Sequence, residues 1–351
     1  MRPSSLLRTF SLNLISTKLS PSPVAPWPPV RTDFDRWLTS ELAELRLVPF
    51  SCGRYTSSLW LCKALDVAVA AQEMTAEFIA SAGGRLSATT ADRKLVDGYL
   101  EDVVELLDSC NGLRERLEDI EKYSGFISTA LRYLEGRHER SEGAVRRAAA
   151  ALAACEAMER RCAELEKCGS GLRKLGEKIA AYDHAPPPSD QTRSSELQEL
   201  LCGSRAVALL VVAALGIAVS FKTRRGLPVV QSSKAGPWGA KLHELHREVK
   251  EEFDKKRRGG LVVLDELDVA AGSARGLRDA IARRDLGEMR MLVELARRRG
   301  RELEERVRPL GEKLKGKLLS RGPLSIWIED RRSLFWVGGD NTQHSNISLV
   351  D

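Results

Sequence analysis

Between Val96 and Ile120 the apolar residues recur in alternating steps of three and four: Val96, Tyr99, Val103, Leu106, Cys110, Leu113, Leu117 and Ile120. Only an α-helix places such a series along one side, as the a and d seam of a heptad. The stripe resumes at Ile127, Leu131 and Leu134. A helix with an unbroken apolar stripe needs other helices to cover it. The expected fold is therefore all-α, an elongated multi-helix bundle with coiled-coil-like antiparallel helices. Composition agrees: aromatic residues are 5% and charged residues 30% of the 351 residues, the mixture of solvated helix faces over an aliphatic interior.

Punctuation divides the rest of the chain. Residues 1–32 are rich in Ser and Pro and carry Arg2, Arg8, Lys18 and Arg31 without an acid. They read as a disordered basic tail or an organelle transit-like segment, which leaves plastid targeting as an alternative to the cytoplasm. An N-terminal helical bundle is expected over 33–182. Its helices should lie at about 33–47, 57–81 and 91–122 with a continuation to 134, then 141–182. Gly125 is a candidate kink, and Gly136 a candidate stop. Pro186, Pro187 and Pro188 mark 183–195 as a linker. Ser195 with Gln198 resembles a capping box that opens the next helix. The segment 196–225 should be one very hydrophobic helix. Residues 237–317 should form C-terminal helices on the same bundle, at about 238–256, 261–284 and 286–317. Asp285 and Glu288 should start the last of these, and Pro309 should kink it. Residues 318–351 lose helical periodicity and read as an irregular tail, with Ser325–Ile328 and Leu334–Val337 as possible short strands.

Ala206 to Phe221 is sixteen residues without a charge. At 1.5 Å per residue it spans about 24 Å, short of a bilayer core of about 30 Å. Extending it back to Leu200 gives enough length but takes in Arg205, which could snorkel from a membrane end. Lys222, Arg224 and Arg225 follow, as at a cytosolic membrane edge. Two environments stay open for this helix: the centre of the bundle, or a membrane entered through Ala206 to Phe221. Localisation is correspondingly cytoplasmic or single-pass membrane.

The sequence offers little chemistry. Neither a phosphate-binding glycine loop nor a nucleophile elbow occurs. His243 and His246 stand in His-Glu-Leu-His, one residue short of the zincin spacing, and Glu135 with His138 supplies only half of a di-iron pattern. The cysteines Cys52, Cys62, Cys110, Cys155, Cys162, Cys168 and Cys202 show no CxxC and read as reduced, apolar thiols. The expectation is no catalytic, cofactor-binding or metal-binding residue, no cofactor and no enzyme activity. The net charge is +6, and most of it lies in residues 1–32. The remaining body has no field for nucleic acid. Lys255–Arg258 and Arg297–Arg299 with Arg301 read as solvated helix ends rather than nuclear-import or anionic-lipid patches, and nucleic-acid binding is disfavoured because no aromatic residues interleave them.

The segment from Lys94 to Leu113 carries Val96, Tyr99, Leu100, Leu106, Leu107, Asp108, Cys110 and Asn111 in the pattern V-x-x-Y-L-x-x-x-x-x-L-L-D-x-C-N. This resembles the BYPASS (BPS-like) family of plant proteins. The likeness extends over roughly 33–316 through the helix from Trp60 to Ile79, the segment Phe126 to Glu135, the apolar run and the helix at Leu264-Asp-Glu-Leu. The resemblance implies a non-enzymatic plant protein of root and shoot development, whose founding branch restrains a root-derived mobile signal. Contacts with unidentified protein partners would carry that role. A membrane-tethered adaptor in trafficking is the alternative function, and an enzyme with a site assembled from distant residues is a remote third. Asp108 and Asn111 are polar positions that the seam does not require.

Overall fold

The computed structural model describes residues 32–47, 54–86, 90–135, 141–160, 172–178, 192–222, 226–230 and 237–318. Their helices are α1 (Asp33–Leu45), α2 (Ser58–Leu86), α3 (Thr90–Glu135), α4 (Glu142–Arg160), α5 (172–178), α6 (Thr192–Ala218), α7 (Pro237–Arg258), α8 (Asp265–Arg283) and α9 (Leu286–Lys313). A π-turn at Leu314–Leu318 follows α9. No strand occurs among the described residues. The protein is an all-α bundle.

The seam forms one side of α3, a single helix of 46 residues and so about 69 Å long. Each seam residue from Val96 to Ile120 is buried, as are Ile127, Leu131 and Leu134. The helix runs through Gly125, and Gly136 lies outside the described residues. Helix α3 packs against α4, α6 and α9, while α2 packs against α6 and α9. Although α2 and α3 are neighbours in sequence, they touch each other little, and both pack against α6 and α9. Helices α8 and α9 pair closely, α4 packs on α8, and α1 lies on α7. Contacts such as Ser124 Oγ to the Gly300 carbonyl, 3.3 Å, tie the early helices to the late ones.

Local chemistry sets the helix ends. Thr32 Oγ1 accepts from the Asp35 amide at 3.0 Å, and Asp33 and Asp35 occupy the positive end of α1. Asp285 caps α9 by accepting from the amides of Gly287 and Glu288 at 3.0 and 2.9 Å. Glu288 turns to Arg283 instead of closing a capping box. Arg284 links α8 and α9 in the left-handed region, at φ 57°.

Several boundaries differ from expectation. Helix α8 starts at Asp265, not Leu261. Val262, Val263 and Leu264 are buried in a non-helical approach, and the Val262 amide donates to Asp268 Oδ1 at 3.0 Å. Continuous burial there mimics a helical stripe. Helix α6 starts at Thr192, so Ser195 is not its cap. The helix expected over 141–182 is described in two pieces, α4 and α5, and 161–171 lie outside the described residues. Pro309 sits inside α9, and the change to π geometry comes five residues later at Leu314. The expectations for 1–31, for most of the 183–195 linker and for 319–351 also lie outside the described residues.

Candidate functional site

Helix α6 is the axis of the bundle. From Leu200 to Val219 nearly every residue is buried. The apolar window within Glu196–Ala218 is long enough to cross a membrane, and 89% of it is covered by the protein's own helices. At Gly203 α1 packs tightly on α6: a Cβ there would lie 2.6 Å from Phe34 Cε1.

The apolar interior falls into two clusters. A small one joins Val96, Tyr99, Leu100 and Val103 of α3 to Ile79 of α2 and Leu197 and Leu201 of α6. The large one takes up the seam from Leu106 onward. Polar groups lie where the two meet. Arg205 of α6 and Asp102 of α3 form an ion pair, Nε to Oδ2 at 2.8 Å, with both side chains 2% exposed. Lys178 of α5 reaches the other Asp102 oxygen at 3.3 Å and Glu105 at 3.7 Å. The Arg205 guanidinium also stacks over the Tyr99 ring, 5.2 Å from its centroid. The Tyr99 hydroxyl donates to Gln72 Oε1 at 2.6 Å and lies 3.2 Å from Ser204 Oγ. Burial raises the Asp102 carboxyl above its ordinary value, against the attraction of Arg205 and Lys178. Burial likewise pushes the Tyr99 hydroxyl up to about 12. The node thus holds α2, α3, α5 and α6 in one register. Removing one partner of such a pair leaves a buried charge uncompensated, at a cost of about 3–5 kcal/mol.

A second network joins the two halves of the chain at the start of α2. Ser58, at that helix terminus, donates from its amide and hydroxyl to Glu266 of α8, the hydroxyl at 2.6 Å. The Asp265 amide, at the start of α8, donates to the Thr56 carbonyl at 3.0 Å, and Thr56 Oγ1 donates to Asp265 at 2.7 Å. The Glu266 carboxylate therefore caps the positive end of α2, and the Thr56 carbonyl takes up the first amide of α8. Glu252 of α7 accepts from the Tyr55 amide at 3.1 Å, and the same carboxylate oxygen lies 3.1 Å from the Thr56 hydroxyl. Glu248 accepts from Tyr55 and Arg46. Although its partial burial works the other way, the bonds from Arg46 and Tyr55 bring the Glu248 carboxyl below its usual value. A third node sets Glu159 of α4 between the Tyr123 hydroxyl, 2.7 Å, and Arg275 of α8, 2.8 Å.

The residues weighed from sequence are dispersed. His243 is exposed, whereas His246 is buried and donates from Nε2 to the Pro228 carbonyl at 2.8 Å. His138 lies outside the described residues, as do Cys52, Cys162 and Cys168. Cys110 and Cys155 are buried, and Cys62 and Cys202 are half-buried. Among the described residues no group of three or more His, Cys, Asp or Glu is placed to hold a metal ion. Lys256 bonds Asp265, Arg257 bonds Asp254, and Arg297 bonds Glu135 and Glu294, so the basic clusters serve as helix-end and inter-helix pairs. Asp108 and Asn111 are exposed on the back of α3. A shallow, open groove of about 520 Å³ lies on α1 and α2, with Trp37, Glu41, Glu44, Leu47, Lys63 and Asp66 on its walls.

Asp102 was not singled out by sequence reasoning, and Arg205 was read as a snorkelling end. The signal was present in both. A lone cation inside an apolar helix needs a carboxylate, and Asp102 sits beside the seam residue Val103.

These features define a helical bundle whose buried ionisable groups join helix to helix. The family model described as "Protein ROH1-like" matches residues 32–180, which hold α1 to α5. "UPF0496 protein 4" of Oryza sativa subsp. japonica is 26% identical over 189 residues, covering 53% of this chain and 40% of that protein. The chain thus spans well under half the length of that curated relative. No solved structure matches. The likeness runs to an uncharacterised plant family, and the names it carries are these rather than BYPASS.

Proposed function

We propose that this chain is a non-enzymatic regulator of plant development, of the kind the BYPASS resemblance implies, and that it acts by offering helix faces to protein partners. The observation that carries the reading is the use made of the interior polar groups. Asp102, Arg205, Glu159, Asp265 and Glu266 each bind another helix, so their chemistry is spent on assembly. The back of α3, with Asp108 and Asn111, is free to face a partner. Restraint of a root-derived signal is the finer form of this role.

Proximity labelling in root tissue tests it, comparing the wild type with the Asp108→Arg, Asn111→Arg double variant. A recurrent set of proteins lost in the variant supports the reading. A labelling pattern identical to that of an inert, freely diffusing control refutes it.

The alternative, a membrane-tethered adaptor in trafficking, draws on the length and apolarity of Glu196–Ala218. Its weakness is that the same residues are already covered within the bundle. Release of the protein from membranes by carbonate counts against the tether.

A further inference from the structure

Helix α1 carries two carboxylates that the fold does not use. Glu41 and Glu44 line the groove between α1 and α2, and among the described residues neither has a hydrogen-bond or ion-pair partner. Glu41 is half-buried, and that burial, with Glu44 beside it, raises its carboxyl above the ordinary value. On the opposite wall Asp66 is taken by Lys313 of α9. The same groove presents apolar surface. Trp60 Nε1 donates to the Leu45 carbonyl at 3.1 Å, which sets the end of α1 beside the start of α2. At that end Leu47 is 77% exposed, and Leu59, one turn before Lys63 on the same side of α2, is 48% exposed. Trp37 lies about two turns back along α1. An occupant of this groove must bring apolar side chains together with cations.

Residues 6–19 of this chain, which lie outside the described residues, have that composition. Seven of the fourteen are Leu, Ile or Phe, Arg8 and Lys18 are the cations, and none is acidic. Twelve residues separate Leu19 from Thr32, the cap of α1. Extended, they reach about 40 Å, twice the roughly 20 Å length of α1. Tethering presents the segment to the groove at about millimolar concentration, so contacts too weak to hold a free peptide suffice. We infer that residues 6–19 occupy the groove between α1 and α2, with Arg8 and Lys18 paired to Glu41 and Glu44 and the apolar side chains against Trp37, Leu47 and Leu59. The segment supplies the counter-charge that the bundle withholds from α1, and it covers the groove against other basic partners. The inference goes beyond the proposed developmental role, since it holds whichever proteins the other helix faces bind.

Charge reversal on the two sides provides the test. Full-length wild type is compared with the pair Glu41→Arg, Glu44→Arg, with the pair Arg8→Glu, Lys18→Glu, and with all four changes together. Brief chymotrypsin digestion followed by mass spectrometry reads cleavage after Phe10, and each rate is divided by that of the matching free peptide 1–31. Each reversed pair should be cleaved about fivefold faster or more than wild type, since repulsion replaces attraction and only the undocked segment is a substrate. The fourfold variant restores opposite charges with the signs exchanged, so its cleavage should return close to the wild-type rate. Carbodiimide treatment of wild type gives a second reading that needs no substitution in α1: Lys18 should cross-link to Glu41 or Glu44 within the monomer. Equal cleavage of wild type and the Arg8→Glu, Lys18→Glu pair overturns the inference. So does a folded fourfold variant cleaved as fast as the pairs, and so does a cross-link that is absent or confined to dimers.

Discussion

Two glycines in long helices should respond oppositely to the same substitution. Gly125 lies on the exposed side of α3, and a Cβ built there meets nothing within 4 Å. Gly203 lies in α6, where a Cβ would stand 2.6 Å from Phe34 Cε1, 3.1 Å from Phe34 Cζ and 3.2 Å from Leu38 Cδ2. Ordinary carbon contacts are about 3.5–4.0 Å, so α1 would have to retreat by roughly 1 Å. Phe34 and Leu38 are 4% and 0% exposed, so neither side chain has room to swing away. Alanine gains up to about 1 kcal/mol over glycine in a helix. Gly125→Ala keeps that gain. At Gly203 overpacking costs about 1–3 kcal/mol and outweighs it, for a net loss of up to about 2 kcal/mol. The two variants should therefore differ by the overpacking cost, about 1–3 kcal/mol. Urea unfolding followed by circular dichroism reads the difference as midpoints moving in opposite directions at constant m-value. Equal stabilisation of both would show that α1 does not press on α6 at Gly203, and the packing around the bundle axis would be wrong.

Other residues give further tests. Leu106→Asp buries an unpaired charge in the seam and should cost several kcal/mol, on the order of 3–5; an unchanged melting temperature would contradict the burial of that face. Glu266→Ala removes the acceptor at the start of α2 and should cost about 0.5–2 kcal/mol, seen as earlier unfolding in urea, whereas Glu266→Gln should recover part of the loss. Burial lowers the His246 pKa from its ordinary 6.5, with the neighbouring Lys250 and His243 adding to the effect and the Pro228 bond opposing it. The unfolded chain therefore binds the proton more readily, so this contribution is complete above 6.5 and declines as pH falls below it. His246→Gln should flatten the acid side of the stability profile near that pH, and an unchanged profile would remove His246 as its source.

The parts of this fold that are periodic were readable from the sequence. The seam from Val96 to Leu134 announces α3 because spacing alone fixes one buried face, and that face is buried throughout. Phe34, Leu38, Leu42 and Leu45 do the same for α1. The environment of α6 was not readable, because a bundle axis and a membrane span present the same run of residues. The node at Asp102 and Arg205 was half-legible: the lone arginine called for a partner, but its identity depended on how α3 and α6 cross. The mutual capping of α2 and α8 was hidden for a similar reason. Thr56, Ser58, Asp265 and Glu266 are far apart in sequence, and their pairing exists only once α8 has docked. The start of α8 was misplaced because Val262 to Leu264 are apolar for packing rather than for helical period.

Amide hydrogen exchange on the purified, detergent-free full-length protein tests the central claim most directly. If α6 is the covered axis of a helical bundle, the amides from Val207 to Leu215 should exchange among the slowest in the chain, at the rate of global unfolding. Exchange of those amides within seconds, while the seam of α3 stays protected, would contradict it.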